Sequence, residues 1–149
     1  MAPTNVLRDG NRGPSPAKRG RKAANREILI RAGTVAIRAR LLATPTADRI
    51  WSTLPLYGPA ETWGQLVHFE TRAETGREPG ATWTVKSGQI AYWAEQDRIV
   101  IGFGPTPISK AGEIRLQAPS SVWAIALDDV RALAAVTPGE RVAVLEADS

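Results

Sequence analysis

The stretch GQIAYWAEQDRIVIGFGPTPIS, residues 88–109, decides how the rest of the chain is read. It contains two short apolar runs, Gln89 to Ala94 and Arg98 to Phe103, separated by the polar turn Gln96-Asp97. Short apolar runs rich in β-branched and aromatic residues and bounded by turn residues read as strands, so this is a hairpin. Tyr92 and Trp93 are neighbours on the first strand and must point to opposite faces, one into a core and one toward a surface groove. After the second strand come Gly102, Phe103 and Gly104, and then Pro105-Thr106-Pro107, which locks the exiting backbone extended. A rigid loop follows the hairpin, and Thr106 reads as a proline-fixed surface position in it.

Working outward, the same punctuated strand pattern fills most of the chain. Glu27 to Arg31 and Val35 to Leu41 alternate apolar and polar side chains on either side of a turn at Gly33. Further strands are predicted over Trp63 to Glu70, Ala81 to Val85, Val122 to Leu127 and Arg141 to Glu146, with turns at Pro79-Gly80, Ser87-Gly88 and Pro138-Gly139. Two short helices interrupt them. Thr44 caps the first, Pro45 opens it, and Ala47, Ile50, Trp51 and Leu54 form its apolar stripe before Pro55 stops it. The second runs from about Asp128 to Val136 and is expected to bury Val130, Leu133 and Ala134. Many closely spaced strands with two short helices predict a mainly β, closed or nearly closed barrel rather than alternating βαβ units.

Charge divides the chain in two. Residues 1–26 hold seven basic groups and one acid, whereas residues 27–149 hold 12 basic groups and 14 acids, a net charge of −2. The high isoelectric point therefore belongs to the Gly, Pro and Ser-rich residues 1–25, read as a disordered basic tail preceding one domain over residues 26–149. Non-specific, salt-dependent nucleic-acid association would rest on that tail, because the body has no cationic surplus for phosphates. No apolar run reaches the length of a membrane span and no signal-peptide pattern is present, so the expected compartment is the cytoplasm. Without cysteine there is no disulfide, thiolate metal site or cysteine nucleophile.

Three stretches resemble the small stand-alone cyclophilin-like family of bacteria and archaea. They are Thr44-Pro45-Thr46-Ala47 with Ile50-Trp51 and Leu54-Pro55; Trp63-Gly64 leading into a strand; and Gly88 to Trp93 followed by Ile101 to Ser109. The resemblance spans roughly residues 27 to 146 and implies a cyclophilin-like β-barrel with a helix closing its end, without an assigned activity. Two departures accompany it. The family commonly has an acid after the Trp-Gly pair, where Gln65, Leu66, Val67 and His68 stand here, and the arginine, phenylalanine, glutamine, tryptophan and histidine set of prolyl isomerases does not map onto this chain.

Residue chemistry narrows function without naming a ligand. His68 is the sole histidine, which removes multi-histidine metal sites, and no Gly-x-Ser-x-Gly elbow accompanies Ser87 or Ser109. His68 reads as a strand histidine satisfied by a neighbour. Gly102-Phe103-Gly104 lacks the third glycine and the following helix of a dinucleotide loop, so no cofactor is expected. The leading expectation is a non-enzymatic module that binds a small molecule or an extended peptide, with a groove made by Trp63, Tyr92, Trp93, Phe103, Gly104, Pro105, Thr106 and Pro107. A prolyl isomerase is the alternative, drawing on Arg72, Arg98 or Arg115 as donor to the prolyl nitrogen.

Overall fold

The computed structural model describes residues 26–147. The predicted disordered tail over residues 1–25 lies outside them. Strand β1 (Glu27–Ala32) and β2 (Val35–Leu41) pair antiparallel across the turn at Gly33, where φ is +58°. Helix α1 (Pro45–Thr53) follows, its first turn capped by the Thr44 Oγ1, which accepts from the Ala47 N–H at 3.0 Å. The apolar stripe Ala47, Ile50 and Trp51 is buried in the main core, and Arg26 is held between Asp48, at 2.8 Å, and the Trp51 ring.

The next segment closes the barrel, and sequence reading does not find it. Residues 56–62 form β3 (Leu56–Pro59), paired with β10 (Arg141–Glu146), and β4 (Glu61–Thr62), paired with β5 (Leu66–Glu70). The remaining strands are β6 (Thr82–Val85), β7 (Gln89–Trp93), β8 (Arg98–Gly102) and β9 (Ile114–Ala126). Sheet order is β3-β10-β1-β2-β9-β7-β8-β5-β4. Because β3 and β4 are one continuous segment at the two ends of that order, the sheet returns on itself as a nearly closed barrel. Main-core side chains from every wall, among them Ile28, Ile37, Phe69, Ile90, Tyr92, Ile99 and Trp123, fill the interior.

Two predicted elements need correction. The last predicted strand before the second helix begins at Ile114 rather than Val122, giving a 13-residue β9. Its Ala118-Pro119-Ser120 looks like a strand breaker, yet β6 shifts register against β9 between the pairs Thr82↔Ser120 and Thr84↔Arg115, so the proline falls in an irregular stretch where no ladder donor is required. The second helix is a 3-10 helix, Val130–Ala135, capped by Asp129. With three residues per turn it buries Val130 and Leu133, with Val136 following in phase, and leaves the expected Ala134 exposed.

Barrel closure brings two backbones into contact at Gly58. A Cβ at this position would lie 2.3 Å from the Glu70 carbonyl oxygen, an atom of the β5 backbone that cannot swing aside. Gly58→Ala is expected to destabilise the protein by about 1–3 kcal/mol through overpacking. Urea unfolding measures it, and an unchanged midpoint would show that the seam opens without cost.

Candidate functional site

Outward-facing residues of β5, β8 and β7 form a second apolar cluster outside the barrel. Leu66, Ala91 and Val100 lie on this outer face, and Val85, Ile114 and Leu116 cover them from β6 and the first half of β9. The long β9 therefore has two duties: its second half is a barrel wall between β2 and β7, and its first half folds with β6 as a flap. Gly102 makes room for the flap, since a Cβ there would meet the Ile114 Cγ2 at 2.5 Å.

The residues expected to form a groove divide between the two cores. Tyr92 is fully buried in the barrel, where its hydroxyl donates to the Asp97 carboxylate and accepts from the Thr75 N–H at 3.4 Å. Burial and the adjacent carboxylate push its phenol far above the ordinary value. Trp93 points the other way, and it and Trp63 are half-buried against the outer cluster. Phe103 packs on the main core instead. Four open cavities on the described surface include none of these side chains or the 104–107 loop.

That loop is tied to its neighbours by polar anchors. The Gln65 carbonyl accepts from the Phe103 and Gly104 N–H groups, and the Gln65 N–H donates to the Pro105 carbonyl at 2.9 Å. Gly64, with φ +60°, lies directly beneath Pro105 to Pro107. Gly104 needs no positive φ; its missing side chain accommodates that of Gln65. Thr106 is buried rather than superficial: its hydroxyl donates to the Arg115 carbonyl at 2.6 Å and lies 3.0 Å from the Ser109 hydroxyl.

Beside Trp93 stands a charged group that the sequence does not assemble. Arg98 is the cross-strand partner of both Trp93 on β7 and Glu70 on β5, and its guanidinium reaches toward β4. Nη1 donates to Glu61 Oε2 at 2.6 Å and to His68 Nδ1 at 3.2 Å. With Nδ1 accepting, the neutral ring carries its proton on Nε2. Burial, then the Arg98 charge, holds the His68 pKa below its ordinary value, while the hydrogen bond from Arg98 lowers that of Glu61. The histidine is thus satisfied by a neighbour, as expected. The neighbour was hidden because it depends on strand register and on β4; alternation alone, which puts His68 and Arg98 out of phase with buried Phe69 and Ile99, does signal their outward placement. Among the described residues no cluster of His, Asp and Glu is arranged to hold a metal ion.

Thr106→Ala should cost about 1–3 kcal/mol, because it removes the donor to the part-buried Arg115 carbonyl; a change below about 0.5 kcal/mol in urea unfolding, the surface level, would contradict the anchoring role. His68 generates a pH dependence. The unfolded chain takes up a proton near the ordinary pKa of 6.5 and the folded protein resists it, so stability declines as pH falls from 6.5 to the lower folded value and is flat above. Glu61 acts only below 4.5. Urea midpoints at pH 7.5 and 5.5 should therefore differ in the wild type by more than in His68→Gln; equal differences would exclude His68 as the source.

No helix among the described residues is long and apolar enough to cross a membrane. No curated protein matches the chain. The solution structure of a hypothetical protein from Archaeoglobus fulgidus is similar to it, with a TM-score of 0.74 and 28% identity over 86% of this chain and 99% of that one. The sequence profile described as cyclophilin-like matches residues 26–145, which includes every barrel strand apart from the last residue of β10. On that match, together with the barrel and its flap, the chain belongs to the cyclophilin-like family.

Proposed function

We propose that this cyclophilin-like barrel is a cytoplasmic, non-enzymatic binding module that takes a small molecule or an extended peptide on the outer face of β7, β8 and β5, at the edge of the flap. Trp93 borders the site at the Arg98 end of the outer cluster and Trp63 at the Leu66 end, where the 103–107 loop is tied to Gln65. The observation that carries this reading is Arg98: its guanidinium is fixed by Glu61 and His68 beside Trp93, and its side chain is only 17% exposed. A fixed donor beside an aromatic ring suits a carbonyl oxygen flanked by an apolar group, the repeating unit of an extended peptide. Little ordering is needed on binding, because the donor and the ring are already in place.

The isomerase reading draws support from the same arginine. Of Arg72, Arg98 and Arg115, Arg98 is the one beside Trp93, whereas Arg115 is paired with Glu113 at 2.7 Å. Against it stands the double engagement of Arg98 Nη1. Association of nucleic acid with the basic tail is a separate matter for a salt titration.

A proline-containing tetrapeptide titrated against labelled protein should shift the Trp93 and Trp63 indole resonances saturably, and Arg98→Ala should weaken binding about tenfold or more, as for loss of a charge-assisted hydrogen bond. Shifts confined to other surfaces would reject this site. An acceleration of prolyl isomerisation that vanishes in Arg98→Ala would replace the binding-module reading with the enzymatic one.

A further inference from the structure

Eleven arginines lie in the described part of the chain, and their commitments are unequal. Arg26, Arg38, Arg40, Arg77, Arg98, Arg115 and Arg131 each have a carboxylate partner, and Arg49 donates to the Ala73 carbonyl at 2.7 Å. Arg31, Arg72 and Arg141 have no ion-pair partner among the described residues. All three line cavities that share one wall, the Tyr57 ring on β3.

The register explains the convergence. Across the outer face of β1, β10 and β3, Arg31 is opposite Ala143, and Ala143 is opposite Tyr57. Ala143 contributes only a methyl group, leaving a recess between a cation and an aromatic ring. Arg141, two residues along β10 on the same face, places its guanidinium carbon 4.2 Å above the Tyr57 centroid. Together with Gly33 and Leu145 these residues bound a cavity of about 370 Å³. Arg31 and Arg141 are diagonal neighbours on adjacent strands, about 7–8 Å apart at the backbone, a separation that one oxyanion can bridge between two guanidinium forks. Tyr57, 46% exposed, offers the ring face that is not covered by Arg141 or its edge to a planar group.

Nearby acids do not cancel the site. The Glu140 carboxylate lies against Gly33 at the rim, but its Oε1 accepts from the Thr137 N–H at 3.0 Å. Glu70, Glu74 and Asp97 share a separate cavity with Arg72 on the other side of Tyr57. Glu27 on β1 is engaged by Arg40 at 3.2 Å. Leaving two guanidinium groups unpaired and adjacent on a body of net charge −2 raises local repulsion, which a bound anion removes.

We propose that the Arg31–Ala143–Tyr57–Arg141 face is a binding site for a small molecule that joins an aromatic ring to a phosphate or carboxylate. The anion is held between Arg31 and Arg141, and the ring packs on Tyr57 above Ala143. This site is on the opposite side of the closing segment from Arg98 and does not depend on the peptide-binding reading.

Calorimetric titration of the full chain at constant ionic strength tests it with phenyl phosphate, benzoate, inorganic phosphate and benzyl alcohol. Phenyl phosphate or benzoate should bind at least about tenfold more tightly than inorganic phosphate or benzyl alcohol, and which of the two is tighter identifies the anion. Arg31→Gln and Arg141→Gln should each weaken that binding about tenfold or more; both side chains are exposed, so the barrel is retained. Tyr57→Ala should remove the preference for the ring-bearing anion. Arg98→Ala should leave all four titrations unchanged. Absence of saturable anion binding up to about 10 mM, or binding that persists in the Arg31→Gln/Arg141→Gln double variant, as for an anion held by the basic N-terminal residues, overturns the proposal.

Discussion

Everything in this barrel depends on the close approach of residues 56–62 to β5. One short segment supplies pairing for β10 with its first half and for β5 with its second. If it were absent, both strands would present unpaired backbone groups along an open edge, with the interior side chains of the main core exposed between them. The approach is possible because Gly58 has no side chain to meet the Glu70 carbonyl. Closure also creates both candidate binding surfaces. The same segment points Tyr57 outward beside β10 and carries Glu61 to the side of His68 and Arg98.

The flap adds a second constraint on the opposite wall. A barrel wall that faces solvent would carry polar residues on its outer face, but Leu66, Ala91 and Val100 are apolar and require a cover. The first half of β9 provides it by extending past the barrel, and Gly102 permits Ile114 to seat against the sheet. Where the cover ends, the outer face changes to Trp93, Arg98 and His68. An aromatic and charged boundary at the rim of an apolar cluster is thus a consequence of the flap's length, while at the opposite end of β5 and β8 the 103–107 loop is tied to Gln65 and Arg115.

Arginine commitment separates the two candidate surfaces chemically. Arg98 is braced by a carboxylate and a neutral imidazole, which lowers its net charge effect and favours directional hydrogen bonding to neutral acceptors. Arg31 and Arg141 retain their full charge, and the Tyr57 ring beneath Arg141 orients one of them without neutralising it. The two proposed sites on this small barrel therefore differ in chemistry, one directed to carbonyl groups and the other to anions.

By itself the sequence determined the features that depend on local chemistry. Alternation identified β1, β2 and the β7–β8 hairpin, the Thr44 cap and Pro45 marked α1, and the motifs from Thr44 to Ser109 carried the family resemblance. Opposite orientation of Tyr92 and Trp93 also followed from strand geometry, although which of them faced inward did not. What only the tertiary structure decided are the relations between distant residues. The 56–62 segment is too short and too rich in Gly and Pro to signal a strand, and it becomes one because two neighbours supply hydrogen-bond partners. Pro119 reads as a break until the β6 register places it outside the ladder. The Glu61, His68 and Arg98 cluster, the burial of Thr106 and the convergence of Arg31, Tyr57 and Arg141 all arise from register between strands far apart in the chain, and period-two alternation specifies a residue's face but not the residue opposite.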